Sequence, residues 1–114
     1  MKTFDDYLAL GMDQDTARYF ANGRRRIVSA VPGRNYTILL SFDNGERRLL
    51  DCKSNFTEGS IFNKLADQDA FNRVFVDSNG NLAWDLDPRV DSNVAWSNRV
   101  DFCRDSCYLK SVPV

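Results

Sequence analysis

The sequence predicts a small α+β domain: a largely antiparallel sheet built from β-hairpins, with short helices, two of them at the N-terminus. Three observations point there. Two Asn-Gly pairs, Asn44-Gly45 and Asn79-Gly80, each sit between apolar runs, as tight hairpin turns do. Two short segments ahead of residue 27 carry helix caps and apolar stripes. Apolar material is ample: 43% of the 114-residue chain is hydrophobic, with eight Phe, four Tyr and two Trp, enough for the core of one domain.

Taken in order, Thr3 with Asp6 forms a capping-box pattern, Phe4, Tyr7 and Leu8 share one face, and Gly11 can close the helix. Asp13 or Asp15 can cap a second helix, whose Ala17, Phe20 and Ala21 form one stripe before Gly23 ends it. Either helix alone is too short to hold in water, so both must dock. Residues 1–26 therefore read as a helical extension packed on a domain of residues 27–114.

The β-branched run "RIVSAV" is a strand that Pro32-Gly33 breaks. In "YTILLSFDNGERRLLDC", a type I′ turn at Asn44-Gly45 would set Leu40 opposite Leu49 and Leu39 opposite Leu50. Those pairs point to opposite faces, so both faces of the hairpin need cover, and the N-terminal helices can supply it on one side. Ile61, Phe62 and Leu65 follow at helical spacing, then Phe71, Val74 and Val76 lead into a strand. The second hairpin turns at Asn79-Gly80 and returns as "LAWDL". "DPRVDSN" is a polar loop, "VAWSN" a short strand or edge, and residues 104–109 a turn or two of helix.

Composition excludes several functions. With no histidine, the chain lacks the usual general base near neutral pH and the Ser-His and Cys-His nucleophile pairs. The six glycines sit singly, so no glycine-rich phosphate loop exists. A net charge of −1 argues against non-specific affinity for nucleic acid or anionic lipid. The longest aliphatic run, Ile38-Leu39-Leu40, cannot span a bilayer. Three cysteines, an odd number, and an N-terminus without a signal-peptide pattern point to reduced thiols in a cytoplasm.

Each remaining motif has a bland reading beside its functional one. Cys103 and Cys107 could share a helix face and hold zinc, but a structural site needs four ligands and Cys52 is the sole further thiol. Buried structural thiols are the expectation. Asp85, Asp87 and Asp91 lack the glycine and terminal glutamate of a calcium loop, so turn chemistry accounts for them. Arg24, Arg25 and Arg26, with Arg47 and Arg48, read either as a solvated edge or as a patch for an acidic partner or a phosphate backbone. Of the two tryptophans flanking the polar loop, Trp84 joins those arginines as the candidate partner contact, against the commoner reading as core. No catalytic residue, metal ligand or cofactor is assigned.

An ordered series of motifs over residues 27–108 resembles the bacterial family known as domain of unknown function 2442. "YTILLSFDNGERRLLD" resembles its hairpin, with Phe42, Gly45, Glu46 and Asp51 in place. "GSIFNKLADQDAFNRVFVD" is similar to its central block at Gly59, Phe62, Leu65, Asp67, Phe71 and Val74. "WSNRVDFCRDSCY" resembles its closing motif at Trp96, Asn98, Asp101 and Tyr108, while Arg99, Arg104 and the stretch "DLDPRVDSN" depart from it. Against that motif, Cys103 falls at a small cap-like position and Cys107 where a buried aliphatic residue sits. The resemblance implies an α+β fold without established activity, in a family whose members stand alone or are fused to helix-turn-helix domains. It also implies a non-enzymatic interaction module, the antitoxin-like partner of another small protein. The alternatives are a nucleic-acid-associated regulator using the arginines and, behind it, a carboxylate-based enzyme or metal protein.

Overall fold

The computed structural model describes residues 2–55, 65, 67–87, 89–92, 94–95 and 98–114. Gly59, Ile61, Phe62 and Trp96, singled out above, lie outside the described residues. The elements are α1 (Phe4–Ala9), α2 (Gln14–Ala21), β1 (Ile27–Pro32), a 3-10 turn (Arg34–Tyr36), β2 (Thr37–Phe42), β3 (Arg47–Asp51), α3 (Cys52–Asn55), α4 (Gln68–Phe71), β4 (Phe75–Val76), β5 (Leu82–Asp85), β6 (Arg99–Phe102), α5 (Arg104–Lys110) and β7 (Val112–Pro113). They form two antiparallel sheets, ordered β1-β2-β3-β7 and β4-β5-β6. The α+β expectation holds, with two helices at the N-terminus. Among the described residues no helix is long and apolar enough to cross a membrane.

Local chemistry explains the helix starts. Thr3 and Asp6 form the reciprocal capping box, and the Asp13 carboxylate accepts from the Thr16 N–H at 2.8 Å. In α2 the inward residues are Ala17 and Tyr19, while Phe20 and Ala21 are half-buried. This corrects the predicted stripe of Ala17, Phe20 and Ala21. Tyr19 turns inward because its hydroxyl finds partners there: it donates to Asp105 and accepts from the Arg25 N–H at 2.9 Å.

Both hairpins depart from the predicted two-residue turn. Phe42 and Glu46 close the first around residues 43–45, and Asp77 and Asn81 close the second around residues 78–80. Gly45 and Gly80 hold φ of +84° and +77°, whereas neither preceding asparagine has positive φ, as a type I′ turn would require. Each is a three-residue loop whose last residue is a left-handed glycine. The extra residue moves the register by one: Leu39 faces Leu49, Ile38 faces Leu50, and Leu40 faces Arg48. Gly80 also has no room for a side chain, since a Cβ there would lie 2.8 Å from that of Arg26.

The shifted register sorts the four-stranded sheet into a closed face and an open one. Ile38, Leu40, Phe42 and Leu50 point into the core, joined by Ile27, Cys52, Leu65, Phe71, Leu82, Trp84, Val100 and Cys107. Leu39 and Leu49 lie on the opposite face, and Leu49 stays 39% exposed. The N-terminal helices do not cover that face. They dock at the other side, where the Tyr19 ring lies 4.7 Å from Tyr108 of α5.

Trp84, in β5, is fully enclosed. Its indole N–H donates to the Phe71 carbonyl at 2.8 Å, and its ring packs on Phe71 and edge-on against Phe102. After the polar loop a strand, β6, runs over Arg99–Phe102; of the predicted "VAWSN", residues 96–97 lie outside the described residues and Val94, Ala95 and Asn98 are not in a strand. There Asn98 anchors the loop instead, with its side chain bonded to the Asp87 N–H and to the Asp87 and Val90 carbonyls.

Candidate functional site

Where α2, the β2–β3 turn, β3 and α5 meet, they surround a cleft of about 480 Å³. Its lining includes Arg18 and Tyr19 from α2, Arg25 from the following segment, Glu46 and Arg48 from the hairpin, and Tyr108 from α5. The sequence brings them together through ordinary packing. Cys107 faces the core with no exposure, so its neighbour Tyr108 is carried to the edge, its ring at 5.1 Å edge-on to Phe42.

One wall is a closed polar network. Glu46 accepts from the Tyr108 hydroxyl at 2.7 Å, from Asn44 Nδ2 at 3.0 Å and from Arg48 Nη1 at 2.9 Å. The Asn44 bond is the chief reason its carboxyl is held below the usual range; partial burial opposes it, and Tyr108 and Arg48 add to it. Arg48 also donates to the Ser111 hydroxyl at 2.8 Å and carbonyl at 2.7 Å, and its guanidinium lies over the Tyr108 ring at 4.3 Å. Burial, then the bond to Glu46, pushes the Tyr108 phenol up. Glu46 is thus an ionised structural carboxylate rather than a general acid.

A second network ties α2 to α5. Asp105 accepts from Tyr19 and forms a 2.7 Å ion pair with Arg24. Burial works against its charge, but those two donors outweigh it and hold the carboxyl below the usual range. Burial, helped by Asp105, pushes the Tyr19 phenol upward.

The predicted arginine patch is therefore divided. Arg24 is paired with Asp105, Arg26 donates to the Ser78 carbonyl at 2.7 Å beside the second hairpin, and Arg47 is exposed on the open sheet face. Arg48 is an internal strut. Arg25 alone of the triplet lines the cleft, with one guanidinium nitrogen 3.2 Å from the Asn22 carbonyl. Trp84 is buried and cannot touch a partner in this fold, because its indole is spent on the core. Sequence reasoning missed Arg18, Tyr19 and Asp105. Tyr19 and Asp105 stand 86 residues apart, and no local spacing marks such a pair.

The thiols separate as well. Cys52 and Cys107 are buried, whereas Cys103, expected to be buried, is exposed at the start of α5 because an N-cap position faces solvent. Burial pushes the Cys52 thiol up to about 12 and raises that of Cys107 too. Among the described residues no three Cys, Asp or Glu side chains gather as a metal site would need.

The family model described as "Protein of unknown function (DUF2442)" matches residues 27–111. The chain belongs to that family. No curated protein and no solved structure matches it.

Proposed function

We propose that this chain is a non-catalytic protein-interaction module of the cytoplasm, the antitoxin-like member of a two-protein pair, and that its partner presents an acidic segment to the cleft. One observation carries the reading. Arg18 and Arg25 converge on the cleft beside Tyr108 and Leu109, Arg18 within 3.5 Å of the exposed Asp15 carboxylate that also lines it, while the carboxylate of Glu46 is bonded on both oxygens within the chain. Such a site offers charge and aromatic surface to a ligand but no group poised to transfer a proton. Three unpaired thiols support a reducing compartment.

A nucleic-acid regulator needs cations available along one face, and Arg24, Arg26 and Arg48 are engaged within the fold. The test is recovery of tagged protein from its native cells at near-physiological salt. A second protein should accompany the wild-type chain and be lost from the double variant Arg18→Glu/Arg25→Glu, whose melting temperature should match wild type. Recovery of monomer or self-dimer alone, or a partner retained by the double variant, would refute the proposal.

A further inference from the structure

Arg25 reaches the cleft from a stretch of chain that is neither helix nor strand. α2 stops at Ala21, β1 begins at Ile27, and Gly23 between them holds φ of +96°. A guanidinium carried by such a segment samples many positions unless the backbone beneath it is fixed. Here it is fixed. The Arg25 N–H donates to the Tyr19 hydroxyl at 2.9 Å, and that hydroxyl donates to Asp105 of α5.

The chemistry of the phenol orders these bonds. A tyrosine hydroxyl carries one proton and rotates to suit its neighbours. The Asp105 carboxylate takes that proton and leaves the lone pairs of the phenol for the Arg25 N–H. Donating to a charged acceptor also makes the phenol oxygen a better acceptor itself. Arg24 secures the far side of the carboxylate, with Nε 3.1 Å from Oδ1 and Nη2 2.7 Å from Oδ2. Residues 24 and 25 are thus pinned to one Tyr19–Asp105 pair, the first by its side chain and the second by its backbone. The Tyr19 ring is 5% exposed and lies 4.7 Å from Tyr108, so it also seats α2 and the adjoining Arg18. Asp105 and Arg24 are not among the residues that line the cleft.

We infer, on the reading of the cleft as a site for an acidic segment, that Asp105 and Tyr19 are its positioning residues. Acting through the Arg25 N–H, they hold the Arg25 guanidinium ready for the ligand's carboxylates. Asp105 thereby sets the affinity for a ligand it never touches. Its own charge is met by Arg24 and Tyr19, so it does not compete for the cations of the cleft. The gain is preorganisation: a side chain already ordered loses less freedom on binding. Coupling of this kind is reciprocal, so an acidic ligand should in turn strengthen the hold of Tyr19 on Arg25.

Two measurements on the full chain test the inference: amide hydrogen exchange by NMR, and calorimetric titration with a polyglutamate peptide. In Tyr19→Phe and in Asp105→Ala the Arg25 amide should exchange at least tenfold faster. The Ile27 amide, bonded to the Gly80 carbonyl, should keep its rate. Both variants should bind the peptide at least fivefold more weakly than wild type, and the peptide should slow Arg25 exchange in wild type. Leu40→Ala, which weakens the core away from these bonds, should leave peptide affinity unchanged below its melting temperature. Affinity lost in Arg18→Glu/Arg25→Glu but kept in Tyr19→Phe and Asp105→Ala overturns the positioning role and leaves the cleft reading standing. Unaltered Arg25 exchange in both single variants overturns it equally. A wild-type chain that ignores the peptide overturns the cleft reading and, with it, the role of Asp105 in affinity.

Discussion

The two faces of the four-stranded sheet carry similar residues and meet opposite fates. One face presents Ile38, Leu40, Phe42 and Leu50, all buried; the other presents Val31, Leu39, Leu49 and Val112, of which Val31, Leu49 and Val112 are exposed. Apolar content does not separate them. What closes the inner face is a covering layer that is itself anchored by polar bonds at its rim: Tyr108 to Glu46, Arg48 to Ser111, Tyr19 to Asp105. Over the outer face the described residues place no covering layer, and Val31, Leu49 and Val112 stay exposed. Hydrophobic burial drives closure but is non-directional, and hydrogen bonds with specified partners decide which surface is closed.

The sharpest way to break the comparison is to truncate one residue on each face. Leu40→Ala removes a fully buried side chain and should cost ~2–5 kcal/mol in chemical denaturation. Leu49→Ala, on the open face, should cost less than ~1 kcal/mol. Equal losses would show the outer face to be as much a part of the core as the inner one.

A smaller effect isolates the rim. Tyr19→Phe keeps the ring on Tyr108 but removes the hydroxyl that donates to Asp105 and accepts from Arg25. The expected loss is ~1–3 kcal/mol, because partly buried partners are left unsatisfied. A melting temperature equal to wild type would remove the α2–α5 bond from the account of closure.

Much of this division was legible in the sequence, and the failures have physical causes. The caps at Thr3 and Asp13, both hairpins and the burial of Cys107 follow from local rules: backbone donors needing acceptors, glycine's left-handed freedom, helical spacing. The register was off by one because Asn-Gly fits both a two-residue and a three-residue loop, and the choice depends on strand pairing beyond the turn. That single residue exchanged Arg48 for Leu49 opposite Leu40. It also turned an expected pair of covered faces into one closed and one open face. Trp84 was offered as a surface contact because it flanks a polar loop, yet β5 is covered on both faces, as its buried Leu82, Ala83 and Trp84 show. The cleft assembles from segments far apart in the chain, so no local pattern announces it.

The same rim should leave a mark in acid. Folded Glu46 and Asp105 both titrate below their unfolded values. Their contribution is therefore complete above the unfolded carboxylate pKa, about 4, and is lost as pH falls through the lower folded values. Glu46→Gln combined with Asp105→Asn should lower stability at neutral pH and flatten its decline below about pH 4.5. Asp6, Asp13 and Asp87 are also held low, so part of the slope should persist. An unchanged slope would mean that the rim bonds contribute nothing to closure.

The mildest changes concern the thiols, which report closure at single-residue resolution. Cys107 lies under the inner face with no exposure and Cys103, directly after β6 at the N-cap of α5, stands in solvent, so one helix and its cap sample both environments. In the native protein a maleimide should label Cys103 within minutes and spare Cys52 and Cys107 until denaturant is added. Cys107→Val conserves volume and should shift stability by less than ~1.5 kcal/mol. A thiol that bound metal or exchanged electrons could not be replaced so mildly. The raised Cys52 thiol adds a signed expectation at the other end of the scale: the unfolded thiol ionises near 9 but the folded one only near 12, so stability should fall as pH rises through that interval. Rapid native labelling of Cys107 would show that the layer anchored by Tyr108 opens readily, and the contrast between the two faces would then be one of degree.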